Sequence, residues 1–203
     1  MKRALEALAR GAEAILSRPL TQGQRDLFAK YMNILSKWQK SHRLIGSAEP
    51  MWIVEHLFLD SLLFLRMLPS TAATILDLGS GAGLPGLPMK IINEDLDVTL
   101  AESRRRRASF LSAAVRELAL SRTRVISDRL EDPARELEGR FDAVVMRCAG
   151  DPTTFSASAT AMLRPGGVVI ATGPPKSRQT PIGSWREVDG PRGRRLFWVC
   201  QVP

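Results

Sequence analysis

The chain is poor in the residues on which several kinds of chemistry depend. Its 203 residues include two cysteines, Cys148 and Cys200, and two histidines, His42 and His56. Neither cysteine stands at a metal-ligand spacing, so no structural metal is expected and a reducing compartment is the simplest home. The sequence offers no Ser/His/Asp arrangement, no paired-carboxylate site and no metal cluster, which leaves hydrolytic and metal-assisted chemistry without support. No apolar run approaches membrane-spanning length. Lys2 and Arg3 lead into Ala and Leu interleaved with Glu6, Arg10 and Glu13, an amphipathic helix rather than a secretory signal. Internal repeats are absent. A cytoplasmic protein with no membrane partner is expected, and nothing points away from a monomer.

Positive charge is what the chain has in surplus. Lys and Arg number 29 against 21 Asp and Glu, a net charge of +8. A polyanion is attracted by such an excess through phosphate neutralisation and counterion release, whereas a small neutral metabolite does not require it. The apolar fraction of 44% suffices for a core. The length predicts one structural domain, divided into an N-terminal helical segment (1–70) packed on a core (71–203).

That core is organised around Thr74 to Gly86, T-I-L-D-L-G-S-G-A-G-L-P-G. Ile75, Leu76 and Leu78 form the short apolar run of a strand buried on both faces. Glycines at 79, 81, 83 and 86 follow, and the pattern turns helical near Pro85. A glycine-rich turn between strand and helix lets backbone approach a cofactor where a Cβ would clash. Gly81, Gly83 and Gly86 satisfy the G-x-G-x-x-G dinucleotide fingerprint. Asp77 to Gly83 equally resembles the E/D-x-G-x-G-x-G signature of S-adenosylmethionine methyltransferases, and the motif alone does not separate the two.

Further strands follow. Val98 to Ala101 ends at Glu102, near the spacing at which an acid reaches ribose hydroxyls; its alternative role is to cap the next helix before Ser103. Arg104 to Arg107 open that helix against its macrodipole, a cost consistent with phosphate contacts, and at most two of the four share a face. Arg124 to Ser127 and Phe141 to Met146 are the next strands, with Arg147 at the C-terminal end where open sheets hold ligands. Pro165-Gly166-Gly167 predicts a tight turn into Val168 to Ala171, a methyltransferase habit that weakens the dehydrogenase reading. A hairpin is expected from Trp185 to Val188 and from Leu196 to Val202. Before the core, residues 2–16, 22–40 and about 50–67 read as helices, with Thr21 as an N-cap.

Several of these segments together resemble the bacterial ribosomal RNA small subunit methyltransferase G (RsmG/GidB) family. They are Asn33 to Lys40, Leu57 to Leu62, D-L-G-S-G-A-G-L-P-G, Glu102-Ser103 with the basic run, Arg107 to Leu111, Phe141 to Arg147 and Leu163 to Gly167. The chain departs from the family pattern at four places. Leu57 stands where the family has a histidine, with His56 one residue earlier. Arg43 replaces asparagine, Cys148 replaces alanine, and Thr172 replaces lysine.

The resemblance implies a Rossmann-like α/β fold of the class I S-adenosylmethionine-dependent methyltransferases, a mostly parallel twisted sheet with helices on both faces. It implies S-adenosyl-L-methionine as cofactor, and N7 of a guanine in 16S ribosomal RNA, in the small subunit or its precursor, as acceptor. Asp77, Gly79, Gly81, Gly83, Leu84 and Glu102 would then hold the donor, Leu130 and Glu131 its adenine. Arg147 would sit by the transferred methyl as a positioning residue. Arg104, Arg105, Arg106, Arg107, Arg129, Lys176 and Arg178 are candidates for RNA contact. Two other readings stay open: a methyltransferase of another RNA or a small molecule, and a non-catalytic nucleotide- or RNA-binding module.

Overall fold

A computed structural model describes residues 1–127, 134–148, 150–174 and 180–203, without the side chains of 134 and 135. Two long helices come first, α1 (Lys2–Leu16) and α2 (Gln22–His42). Thr21 caps α2 as its sequence predicts. Its hydroxyl accepts from Gln24 N at 3.2 Å, and the Gln24 side chain accepts from Thr21 N at 3.0 Å.

The single helix expected over 50–67 is broken. It runs as α3 (Pro50–Ile53), a π turn (Val54–Phe58), α4 (Leu59–Leu62) and a 3-10 turn (Leu63–Arg66). A π turn houses one residue more than an α turn would. His56, displaced by one position from the family spacing, lies inside it.

The strands are β1 (Thr74–Leu78), β2 (Asp97–Ala101), β3 (Thr123–Ile126), β4 (Phe141–Arg147), β5 (Leu163–Thr172), β6 (Ser184–Gly190) and β7 (Gly193–Gln201). They form one sheet in the order β3-β2-β1-β4-β5-β7-β6. The first five are parallel, while β7 runs antiparallel to both β5 and β6, so the expected hairpin closes the sheet. Between the strands lie α5 (Gly86–Ile92), α6 (Arg105–Glu117), α7 (Ala134–Leu137) and α8 (Ser156–Ala161).

The tight turn expected at residues 165–167 falls within the span of β5, where its pairing with β4 is interrupted. Phe141 pairs with Leu163, but the next aligned pair is Ala143 with Val168. The surplus residues loop out of the ladder, with Gly166 at φ +79°.

Side chains alternate across the sheet, and both faces are covered. On one face Ile75, Leu100 and Phe197 share a continuous core with Leu8, Phe28, Tyr31 and Phe58 of the N-terminal helices. On the other, Leu76, Val144, Val169 and Trp198 pack with Ala159 and Met162. The helical segment thus covers one face of the sheet and reaches the C-terminal end of β1. No helix among the described residues is long and apolar enough to cross a membrane.

Candidate functional site

The reversal after β1 is built on backbone that only glycine adopts without strain. Gly79, Gly81 and Gly83 have φ of +74°, +58° and +86°. The N–H groups of Gly79 and Ser80 both donate to Ala101 O, at 2.9 and 3.0 Å, so the loop is pinned across the end of β2. A Cβ on Gly79 would meet nothing within 4 Å. That open side is space a ligand can enter. Gly86 has the opposite reason to be glycine: a Cβ there would lie 2.7 Å from Asp77 Oδ2 and 2.6 Å from Leu100 Cδ2.

Asp77 is fully buried beneath this corner. Its Oδ2 accepts from Gly86 N at 2.9 Å, while Oδ1 has no hydrogen-bond partner among the described residues. Burial pushes its carboxyl up to about 7, against the lowering effect of the Gly86 N–H. Ser80 Oγ donates to Asp77 O at 2.8 Å and closes the turn.

Glu102 holds the loop from the neighbouring strand. Its Oε2 accepts from Gly81 N at 3.0 Å and its Oε1 from Arg104 N at 2.8 Å. The carboxylate does not cap α6, which has no side-chain cap; it stands just before the helix and ties that entrance to the glycine loop. Each oxygen keeps a lone pair for a further donor. Arg107 Nη1 lies 3.9 Å from Oε2.

Arg147, at the end of β4, is half-buried, and desolvation draws its pKa below the usual arginine value. Nη2 donates to the carbonyl of His56 at 2.9 Å, within the π turn. Nη1 is buried with no hydrogen-bond partner among the described residues. A guanidinium left incompletely satisfied costs free energy that good packing would avoid. An incoming acceptor is the natural complement.

The structure brings Asp77, the three loop glycines, Glu102 and Arg147 to the C-terminal edge of β1, β2 and β4. Leu84 turns its side chain into the core, so only its backbone remains for a ligand. Of the basic run, Arg104, Arg105 and Arg106 are exposed at the start of α6, and Arg107 alone leans toward the site. Arg129, Leu130, Glu131, Lys176 and Arg178 lie outside the described residues.

One contributor escaped the sequence reading. Tyr31, within the helix expected over 22–40, reaches across from α2 and donates its hydroxyl to Ala82 O under the loop. Its ring stacks on Phe58 at 5.1 Å. Its one available signal was being the chain's single tyrosine.

Comparison with known proteins gives a concordant picture. The family profile described as rRNA small subunit methyltransferase G matches residues 24–178. A protein of that name from Anaeromyxobacter dehalogenans is 38% identical over 167 residues, 82% of this chain and 76% of the relative. Another, from Desulforamulus reducens, is 39% identical over 131 residues, 63% of this chain and 55% of the relative. The chain thus spans little more than half the length of the second. Among solved structures, cofactor-bound Rv0187 from MTB superposes with a TM-score of 0.61 at 15% identity, covering 87% of this chain and 89% of that one. A SAM dependent methyltransferase from Aquifex aeolicus gives 0.58 at 16%, covering 83% and 98%. At these identities the structural likeness establishes the fold.

Proposed function

This chain belongs to the ribosomal RNA small subunit methyltransferase G family, and on that premise we propose that it methylates N7 of a guanine in 16S ribosomal RNA. The observation that carries the reading is the open glycine corner over Asp77, held from the end of β2 by Glu102. S-Adenosyl-L-methionine, bound there, supplies an electrophilic methyl on a sulfonium.

The residues present fit that donor. Gly79 and Gly81 leave backbone free of Cβ where the donor's amino acid part would pass, while Gly83 is glycine because a Cβ there would strike Leu87 and the Tyr31 hydroxyl. Glu102 has lone pairs left for ribose hydroxyls. Asp77 is buried and braces the corner from beneath, so its work is to hold the loop rather than to move a proton. Arg147 brings a guanidinium with one free N–H face to the end of β4.

Guanine N7 has a lone pair and no proton, so the reaction requires no general base, in keeping with the lack of any base constellation in the sequence. When the N7–carbon bond forms, the carbon–sulfur bond breaks with its electron pair going to sulfur. The guanine is left cationic. Rate then comes from alignment in a dry site. The surplus of positive charge and the exposed Arg104, Arg105 and Arg106 favour a polyanionic acceptor. RNA of the cytoplasmic small subunit is the acceptor we assign.

The test is transfer of labelled methyl from S-adenosyl-L-methionine to small-subunit particles lacking their own N7 methylation, with the product nucleoside identified after digestion. Label in 7-methylguanosine supports the reading. Label in another nucleoside overturns the N7 assignment and keeps a methyltransferase.

A further inference from the structure

Arg147 also lines a cavity of about 220 Å³ between the helical stretch over 59–66, the ends of β4 and β5, and the first half of β7. Its space can take a planar base beside the Phe64 and Phe197 rings. Phe64 and Phe197 give part of its wall and meet edge to face at 5.0 Å. Asp60 is the one carboxylate among its lining residues. Arg195 Nε lies 3.2 Å from Asp60 Oδ1 and Arg192 Nη1 lies 3.7 Å from Oδ2, so two side chains of the C-terminal hairpin orient the acid.

Guanine is distinguished by adjacent donors, N1–H and the 2-amino group, beside the acceptor O6. An ionised carboxylate only accepts, and a guanidinium only donates. Asp60 and Arg147 on one cavity thus reproduce the complement of that edge. The incompletely satisfied Nη1 of Arg147 supplies the donor that O6 would fill. Adenine offers an acceptor at N1, which would face the carboxylate unfavourably. A phosphate would meet the same repulsion from Asp60, and the two other guanidiniums on the cavity, Arg194 and Arg195, are engaged by Glu187 and Asp60. An extruded base read along its Watson–Crick edge within partly apolar walls is the general solution for enzymes that modify bases.

We propose that this cavity receives the target guanine, with Asp60 accepting from N1–H and the 2-amino group and Arg147 donating to O6, which leaves N7 uncovered. Asp60 is then a specificity-determining residue. The proposal rests on the guanine-N7 reading above and adds which side chains recognise the base.

The experiment compares small subunits rebuilt with guanosine or with inosine, which lacks the 2-amino group, at the mapped target position. The wild-type chain is expected to methylate the inosine particle with kcat/KM lowered on the order of tenfold or more, because a site built to pair a donor rejects the analogue lacking it. In Asp60→Asn the guanosine rate falls at least as far, the guanosine-to-inosine ratio closes toward one, and S-adenosyl-L-methionine still raises Tm as in wild type. A wild-type enzyme indifferent to inosine overturns the proposal whether or not the variant folds. A variant that loses rate equally on both particles, with the ratio unchanged, overturns it too, since that marks a structural role. Absence of transfer from wild type to either particle fails the N7 reading itself and this proposal with it.

Discussion

The N–H of Gly86 donates to Asp77 Oδ2 at 2.9 Å, tying the end of β1 to the first residue of α5. The acid that ends the signature strand is therefore an internal brace. It is also a poorly solvated one, held up to about 7 against an ordinary 3.8, chiefly by burial. The folded chain keeps a proton that the unfolded chain releases above about 4. Stability from this group is accordingly greatest at low pH and is lost as pH rises from about 4 to about 7. Asp77→Asn keeps an acceptor for Gly86 and removes the titration. Its Tm should vary less than wild type between pH 5 and 8 and exceed wild type at the upper end, as read by circular dichroism. A variant that loses Tm equally at every pH would contradict this.

Gly79 and Gly86 should respond differently to alanine. Gly79→Ala places a Cβ in open space, and only its left-handed backbone is strained, at about 1–2 kcal/mol. Gly86→Ala drives a methyl between Leu100 and Asp77, an overpacked contact of the kind that costs about 1–3 kcal/mol and displaces the brace as well. Urea unfolding should rank Gly86→Ala below Gly79→Ala. Titration with S-adenosyl-L-methionine should show Gly79→Ala binding weakly despite its better fold, since its methyl occupies the ligand side of the loop.

Tyr31→Phe isolates the tie between the helical segment and the loop. The ring can still stack on Phe58, while Ala82 O loses its partner. A neutral hydrogen bond contributes about 0.5–1.5 kcal/mol. Calorimetry should find S-adenosyl-L-methionine affinity reduced by roughly two- to tenfold, with Tm lowered slightly. Unchanged affinity would reduce Tyr31 to a core residue.

How much of this was visible beforehand depends on how far apart the partners lie in sequence. β1, β4 and the closing hairpin were legible, because unbroken apolar runs such as Ile75-Leu76 and Ala143-Val144-Val145 announce strands buried on both faces. Thr21 was legible as a cap because its partner is three residues away. The π turn at Val54–Phe58 was not, since an apolar helical stripe reads the same with one residue inserted. The Pro-Gly-Gly chemistry at residues 165–167 announced a reversal, but not that the strand would be counted through it. Tyr31 with Ala82 and Asp60 with Arg195, 51 and 135 residues apart, are pairings that no local pattern announces.

Arg104, Arg105 and Arg106 stand exposed at the start of α6, which has no acid in its first turn and no side-chain cap. Their charge opposes the helix dipole, so replacing all three with Gln should leave Tm unchanged or raise it. RNA affinity should fall, and the slope of log K against log salt should shrink by about 0.7–0.9 for each phosphate contact removed. Filter binding across a salt series measures it. An unaltered slope would place the RNA on another face.

Arg147 presents the sharpest opposition between stability and function. Its side chain is half-buried, Nη1 is buried and unpartnered among the described residues, and desolvation lowers its pKa. Asp60, which attracts it, has its own contacts to Arg192 and Arg195 and would not be stranded by its removal. Replacing an imperfectly paired buried ion by an apolar side chain of similar length is often neutral or stabilising. Arg147→Met should therefore keep or raise Tm, even though the carbonyl of His56 loses a donor. Methyl transfer should nevertheless fall on the order of 10²-fold, the scale of a misplaced reactant. Arg147→Lys, which keeps one donor but not the fork, should fall between the two. A variant with higher Tm and full activity would show that the charge at the end of β4 is dispensable for transfer. A stable, inactive Arg147→Met would show that this strand end accepts an unfavourable buried charge for what it does to the acceptor.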